Sequence, residues 1–258
     1  MSQQVSAIAD RLACPPKALI LAAGEGTRLR PLTLDRPKPM APIAGRPLLE
    51  HIVEWLRSYG VQEIAVNLHY RPEAITSHFG DGAAYGVRVT YSYEDPILGT
   101  AGAVRKLADF LDGGPFLVVY GDVLTDLDLR RLLMFHHEQA VRDPAIGATV
   151  SLYHVPNPTE VGLVGADGDG RITRFLEKPR PEEVFTDLAN TGILVVEPHV
   201  IERIPPHVCY DFGRDLFPRL LADGVPLYGW VVPVGTYLLD IGTPEKYAQA
   251  QREWTGRG

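Results

Sequence analysis

Leu21-Ala22-Ala23-Gly24-Glu25-Gly26-Thr27-Arg28-Leu29-Arg30-Pro31, with Arg36-Pro37-Lys38-Pro39 close behind, is the stretch from which the fold is read. The apolar residues 18–22 form a buried strand that runs straight into a glycine loop. Glycines let backbone N–H groups approach a phosphate, and Arg28 and Lys38 bring the positive charge that a polyphosphate needs. A plain strand-to-helix turn with solvated arginines is the alternative for the loop taken alone. Two familiar fingerprints fail here. The Rossmann pattern requires a third glycine, but Gly24-x-Gly26-x-x ends on Leu29. A P-loop requires Gly-Lys-Ser/Thr after four intervening residues, and the chain has no such run.

Working outward, strands and helices alternate. Pro47 starts a helix whose apolar stripe is Leu48, Leu49, Ile52, Val53 and Leu56, up to Gly60. Strands are expected at 63–67, 87–93 and 146–154, with helices at 72–79, 101–111 and 129–139. The unbroken apolar run 116–120 suits a central strand buried on both faces. In the second half, short strands near 162–164 and 171–177 flank Asp167-Gly168-Asp169-Gly170, a hairpin turn. A calcium loop is excluded there, because the required glutamate is missing from its place. Strands at 190–196, 227–232 and 237–240 and helices at 215–222 and 244–253 complete the pattern. The fold class is α/β: a three-layer α/β/α sandwich, Rossmann-like, on a mostly parallel mixed sheet with a hairpin-rich insert at about 155–240. No hexapeptide repeat occurs, so no C-terminal β-helix is expected.

With 258 residues, one large domain spanning 17–258 and an N-terminal extension over 1–16 are expected. Val5, Ile8, Ala9 and Leu12 would make a short amphipathic helix in that extension, ended by Pro15-Pro16. The formal charge of −7, without a basic run longer than a pair, argues against a nucleic-acid surface. It leaves room for a local basic pocket of Arg28, Arg30, Lys38 and Lys178. Cys14 and Cys209 lack metal-ligand spacing and read as reduced thiols of a cytoplasmic protein. No apolar run has the length of a membrane span, and the first 16 residues lack the apolar core of a signal peptide.

Four further motifs follow the glycine loop in order: Leu98-Gly99-Thr100-Ala101-Gly102, Gly121-Asp122-Val123, Glu177-Lys178-Pro179 and Leu239-Asp240-Ile241-Gly242-Thr243-Pro244. With its Gly-x-Gly-Thr-Arg-Leu and Pro-Lys-Pro segments, the chain after about residue 17 resembles the sugar-1-phosphate nucleotidyltransferases. Among them it is most similar to the mannose-1-phosphate and heptose-1-phosphate guanylyltransferases. The resemblance implies attack of a sugar-1-phosphate oxygen on the α-phosphorus of a nucleoside triphosphate, with release of pyrophosphate. It also implies Mg²⁺ as cofactor, a homo-oligomer (dimer or tetramer), and an insert that binds the sugar. Catalytic roles fall to Arg28, Lys38, Asp122, Lys178 and Asp240. Nucleotide binding falls to Leu21, Ala23, Gly24, Gly26, Thr27, Arg28, Lys38, Glu94, Gly99, Thr100 and Asp122. Gly162, Glu177, Lys178, Asn190 and Thr191 would take the sugar phosphate, and Asp122 and Asp240 the metal.

The residues themselves leave some alternatives open. Asp122 ends a buried strand, on the edge of an open sheet where ligands collect, and Asp240 ends another apolar run. Each is also an ordinary turn or cap aspartate. Glu177-Lys178 could be a surface ion pair, although Pro179 restricts its geometry. Glu94 stands where thymidylyl and uridylyl relatives usually have glutamine. A carboxylate offers only acceptors, which matches guanine N1–H and N2–H₂ and so GTP. The alternative for Glu94 is an exposed glutamate at a strand end. His136-His137 reads as solvated or capping, and Tyr85, Tyr91 and Tyr93 as packing or pocket wall. Rival readings are a thymidylyl- or uridylyltransferase, a non-catalytic regulatory homologue that binds a sugar nucleotide, and a glycosyltransferase using Asp126-Leu127-Asp128 for metal.

Overall fold

The computed structural model describes residues 15–254. The expected helix around Val5–Leu12 and the thiol of Cys14 lie outside the described residues; Cys209 is a free, exposed thiol. The chain starts with β1 (Ala18–Leu21), followed by two 3₁₀ turns, Thr27–Leu29 and Lys38–Met40, and a short hairpin of β2 (Pro42–Ile43) and β3 (Arg46–Pro47). Next come α1 (Leu48–Ser58), β4 (Glu63–Leu68), α2 (Pro72–Phe79), β5 (Arg88–Tyr93), α3 (Gly99–Lys106), α4 (Ala108–Leu111), β6 (Phe116–Tyr120) and β7 (Val123–Thr125). α5 (Leu129–Arg142), β8 (Ala148–His154), β9 (Gly162–Ala166), β10 (Ile172–Glu177) and β11 (Leu188–Val196) follow. A π turn, Phe212–Leu216, leads into α6 (Phe217–Ala222), then β12 (Leu227–Val231), β13 (Leu238–Asp240) and α7 (Pro244–Glu253).

Among the described residues, the central sheet has nine strands in the order β10-β9-β11-β6-β1-β4-β5, with β8 on the other side of β11 and β12 beside β8. Every strand except β10 and β11 runs in one direction, so the mixed, mostly parallel sheet is as expected. The period of two along each strand sorts the side chains into two cores. Ala18, Ile20, Ile64, Val66, Leu117 and Val119 pack with α1, α2 and α5 on one face. Leu19, Ala65, Phe116 and Val118 pack with α3, α4 and α6 on the other. This alternation makes the sandwich three-layered. No helix among the described residues is long and apolar enough to cross a membrane.

Three details differ from the sequence reading. The helix expected over 101–111 starts earlier, at Gly99, and breaks at Leu107 into α3 and α4. The helix expected from 215 is preceded by the π turn that carries Gly213. β2, β3 and β7 were not foreseen, because two or three residues are too few to show a period. β7 matters most: its antiparallel pairing with β13 sets Asp240 opposite Val123, next to Asp122.

Candidate active site

The site lies at the carboxyl ends of β1 and β6, where the parallel strands release their loops. The Gly121 N–H donates to the carbonyl of Leu21 at 2.9 Å, drawing the Gly121-Asp122 turn against the glycine loop. A Cβ on Gly121 would lie 2.6 Å from that carbonyl oxygen, so only glycine allows the contact. Gly26 is left-handed at φ 63°, and a Cβ there would sit 2.8 Å from Lys38 Cβ. Its role is to let Lys38 close in. Thr33 Oγ1 donates to the Gly26 carbonyl at 2.8 Å and pins the loop.

Two adjoining clefts open here. The first, of about 670 Å³, is lined by Leu21, Ala23, Gly24, Lys38, Gly99 and Thr100, together with Asn67, Ile97 and neighbours. The second, of about 890 Å³, is lined by Arg28, Gly162, Glu177, Asn190, Asp240 and others. Thr100, Tyr120, Asp122 and Asp211 line both. The clefts are therefore two rooms with a common wall. Gly26 and Thr27 line neither, and Arg28 borders the second room rather than the first.

The two aspartates meet through a lysine. Lys38 Nζ ion-pairs closely with Asp122 Oδ2 and lies 3.5 Å from Asp240 Oδ1, while Lys246 Nζ bonds Asp240 Oδ2 at 2.9 Å. Burial alone would raise the Asp240 pKa. The Lys38 charge, the Lys246 bond and charge, and the Gly242 N–H outweigh it and hold the carboxyl below its ordinary range. Among the described residues no cluster of three or more His, Cys, Asp or Glu could hold a metal by itself. Asp240 Oδ1 is, however, buried without a hydrogen bond. Two neighbouring carboxylates, one with an oxygen that accepts no hydrogen bond, suit a hard cation such as Mg²⁺, which commonly takes one or two carboxylates and completes its shell with phosphates and water. The donor set fits.

In the second room Glu177 is half-buried between two glycines. A Cβ on either Gly162 or Gly213 would lie 2.6 Å from Glu177 Oε2. Burial raises the Glu177 pKa, against the pull of Lys178 and Arg214 and with the push of Asp211. Asn190 lines the room, its Oδ1 accepting from the Gly192 N–H at 2.9 Å.

Three expected residues stand differently from the sequence reading. Thr191 lines the second cleft, yet it is only 4% exposed, and its hydroxyl bonds Ser151 Oγ and accepts from the Ile193 N–H at 3.1 Å. That hydroxyl is therefore turned into the sheet. Lys178 is exposed in left-handed backbone (φ 47°) and borders neither cleft, although its charge reaches Glu177. Glu94 is 0% exposed, which overturns the exposed-glutamate alternative. It also lies behind the first cleft rather than in its wall. Its oxygens accept from Asn67 Nδ2 and the Leu98 N–H, each at 2.9 Å.

Among the wall residues that sequence reasoning missed are Asn67, Tyr120 and Asp211. Asp211 Oδ1 accepts from both the N–H and the hydroxyl of Thr100, at 3.1 and 3.2 Å, across 111 residues of chain. Its one local signal was an aspartate just ahead of a helical apolar run. Tyr120, whose pKa burial raises strongly, packs over Gly192. A Cβ on Gly192 would come within 2.9 Å of its ring.

A family model described as nucleotidyl transferase matches residues 17–256. The chain is 41% identical over 247 residues to a UTP–glucose-1-phosphate uridylyltransferase of Synechocystis, covering 92% of this chain and 62% of that protein. It is 39% identical over 237 residues to a mannose-1-phosphate guanylyltransferase of Mycobacterium tuberculosis, covering 92% and 64%. The chain thus spans less than two thirds of the length of these curated relatives. Among solved structures, HddC from Yersinia pseudotuberculosis complexed with GMP-PN superposes with a TM-score of 0.76 at 28% identity, over 93% of this chain and 99% of that one.

Proposed function

The chain belongs to the nucleotidyl transferase family, and from that premise we propose that it joins a sugar-1-phosphate to a nucleoside triphosphate. The observation that carries the reading is the pair of clefts sharing one wall at Asp122, with Lys38 held between Asp122 and Asp240. A phosphate oxygen of the sugar-1-phosphate attacks the α-phosphorus. The bond from that phosphorus to the bridging oxygen breaks, and pyrophosphate leaves with the electron pair. Such a displacement needs two anions placed in line and their charge neutralised, rather than covalent help from the protein.

Each requirement has residues to meet it. The glycine loop with Leu21, Ala23 and Gly24, and the Gly99-Thr100 turn, surround the nucleotide in the first room. Lys38 brings its cation to the junction where the phosphates meet, and Arg28 brings a second from the side of Asp240. In the other room Glu177 and Asn190 accept hydrogen bonds from sugar hydroxyls beside the bare backbone of Gly162. Lys178, exposed next to Glu177 and outside both walls, would take the sugar phosphate. Mg²⁺, when bound by Asp122 and Asp240, would neutralise phosphate charge at the reacting centre.

GTP is the favoured nucleotide, supported by the guanylyltransferase relative and by the solved HddC complex with GMP-PN. UTP is the second reading, supported by the uridylyltransferase relative. A cytoplasmic homo-oligomer is part of the same proposal and rests on the family resemblance. Incubation with Mg²⁺, each common nucleoside triphosphate and a panel of sugar-1-phosphates, with pyrophosphate as the readout, is the test. Release is expected with GTP or UTP and one sugar-1-phosphate; silence with every pair would sink the proposal.

A further inference from the structure

Asn67, the penultimate residue of β4, is only 3% exposed, yet it reaches the wall of the first cleft beside Ala22, Ile97 and Gly99. Its amide is tied at both ends. The Ala22 N–H donates to Oδ1 at 2.7 Å, and Nδ2 donates to Glu94 Oε1 at 2.9 Å. A backbone N–H needs an acceptor and a carboxylate oxygen needs a donor, so only one of the two amide orientations satisfies both neighbours. Glu94 is in turn fixed by the Leu98 N–H on its other oxygen, and His69 Nδ1 bonds its main-chain carbonyl at 2.8 Å. One buried carboxylate thus joins the end of β4 to the segment that carries Ile97 and Gly99.

We infer that Asn67 reads the nucleobase and that Glu94 is the positioning residue that locks its amide. This rests on the nucleotidyl transferase reading and adds the class of base. One Nδ2 hydrogen goes to Glu94, which leaves the second as a donor of fixed direction. A fixed donor pairs with a ring carbonyl, such as guanine O6 or the O4 of uracil and thymine. Against the amino group of adenine or cytosine it stands donor to donor. The cleft therefore selects keto bases over amino bases. A buried polar group left unpaired by the wrong base is what makes such selection strong.

Calorimetric titration with GTP, UTP, ATP, CTP and inorganic tripolyphosphate tests this on the full chain and on Asn67→Ser, Glu94→Gln and the double variant. Serine keeps a hydroxyl for the Ala22 N–H and Glu94 but has no second hydrogen to offer the base. The unaltered chain is expected to bind GTP or UTP roughly tenfold tighter than ATP and CTP. Each variant should bring that ratio to within about twofold, the double variant should lose nothing further, and tripolyphosphate affinity should stay the same. The inference is overturned if the unaltered chain lacks the keto preference, or if Asn67→Ser keeps it. It is equally overturned if Glu94→Gln abolishes the preference while Asn67→Ser leaves it intact, since Glu94 would then meet the base directly. A chain that binds neither tripolyphosphate nor any nucleotide would instead overturn the transferase reading.

Discussion

Glu177 and Asp240 both line the second cleft, yet their surroundings push them in opposite directions, and that opposition can be measured. Burial raises Glu177, so its protonated form is favoured in the folded state. The matching stability is full below the ordinary carboxylate pKa and is lost as pH rises through the raised one. Glu177→Gln removes that loss. The variant's melting temperature relative to the unaltered chain should therefore climb as pH rises above the ordinary carboxylate range of about 4, while its KM for the sugar-1-phosphate increases. Asp240 is held low by Lys38 and Lys246. Its stability is present above the ordinary pKa and is lost as pH falls through the depressed one. Lys246→Met should cost stability above about pH 5 and converge with the unaltered chain in stronger acid. Melting curves across pH read both variants, and parallel slopes would contradict the opposed environments.

At the scale of elements, the glycine loop works because two residues lack side chains where the backbone closes on itself. Alanine at Gly26 would be forced into left-handed backbone with its Cβ 2.8 Å from Lys38 Cβ. A cost of about 1–3 kcal/mol in denaturant unfolding is expected. A larger share of the damage should appear in kcat/KM, because Lys38 is the residue displaced. Unchanged kinetics with normal stability would mean that the loop has slack the geometry does not show. The elements legible in the sequence were those with a clear period or a continuous apolar run, such as α1 and β6. So were the loops at their ends, because glycines and prolines mark them directly. What escaped were the contacts that register alone creates. β7 is three residues long, yet it places Asp240 beside Asp122. Nothing in the sequence shows that Thr191, at the wall of the second cleft beside Asn190, bonds its hydroxyl to Ser151 on β8. Asn67 carries no motif at all. Its role emerges only when β1, β4 and the 94–98 segment come together.

For the whole molecule, the decisive arrangement is that Thr100, Tyr120, Asp122 and Asp211 belong to both rooms. Thr100 and Asp211 are bonded to each other, which ties the first turn of α3 and the π turn before α6 into one wall. A ligand in one room that orders this wall would leave the second ligand a site already formed. The nucleotide sugar, which would occupy both rooms at once, should therefore stabilise the fold beyond what either half achieves. At about 100 times its Kd a single ligand contributes about 2.7 kcal/mol, which for a domain of this size corresponds to roughly 5–10 °C in Tm. Thermal melts with the nucleoside monophosphate, the sugar-1-phosphate, both together and the joined nucleotide sugar would separate the cases. Tighter binding of the sugar-1-phosphate in the presence of the nucleotide is the expected result. Strictly independent affinities would mean that the shared wall does not couple the rooms, and that each substrate is recognised by its own cleft alone.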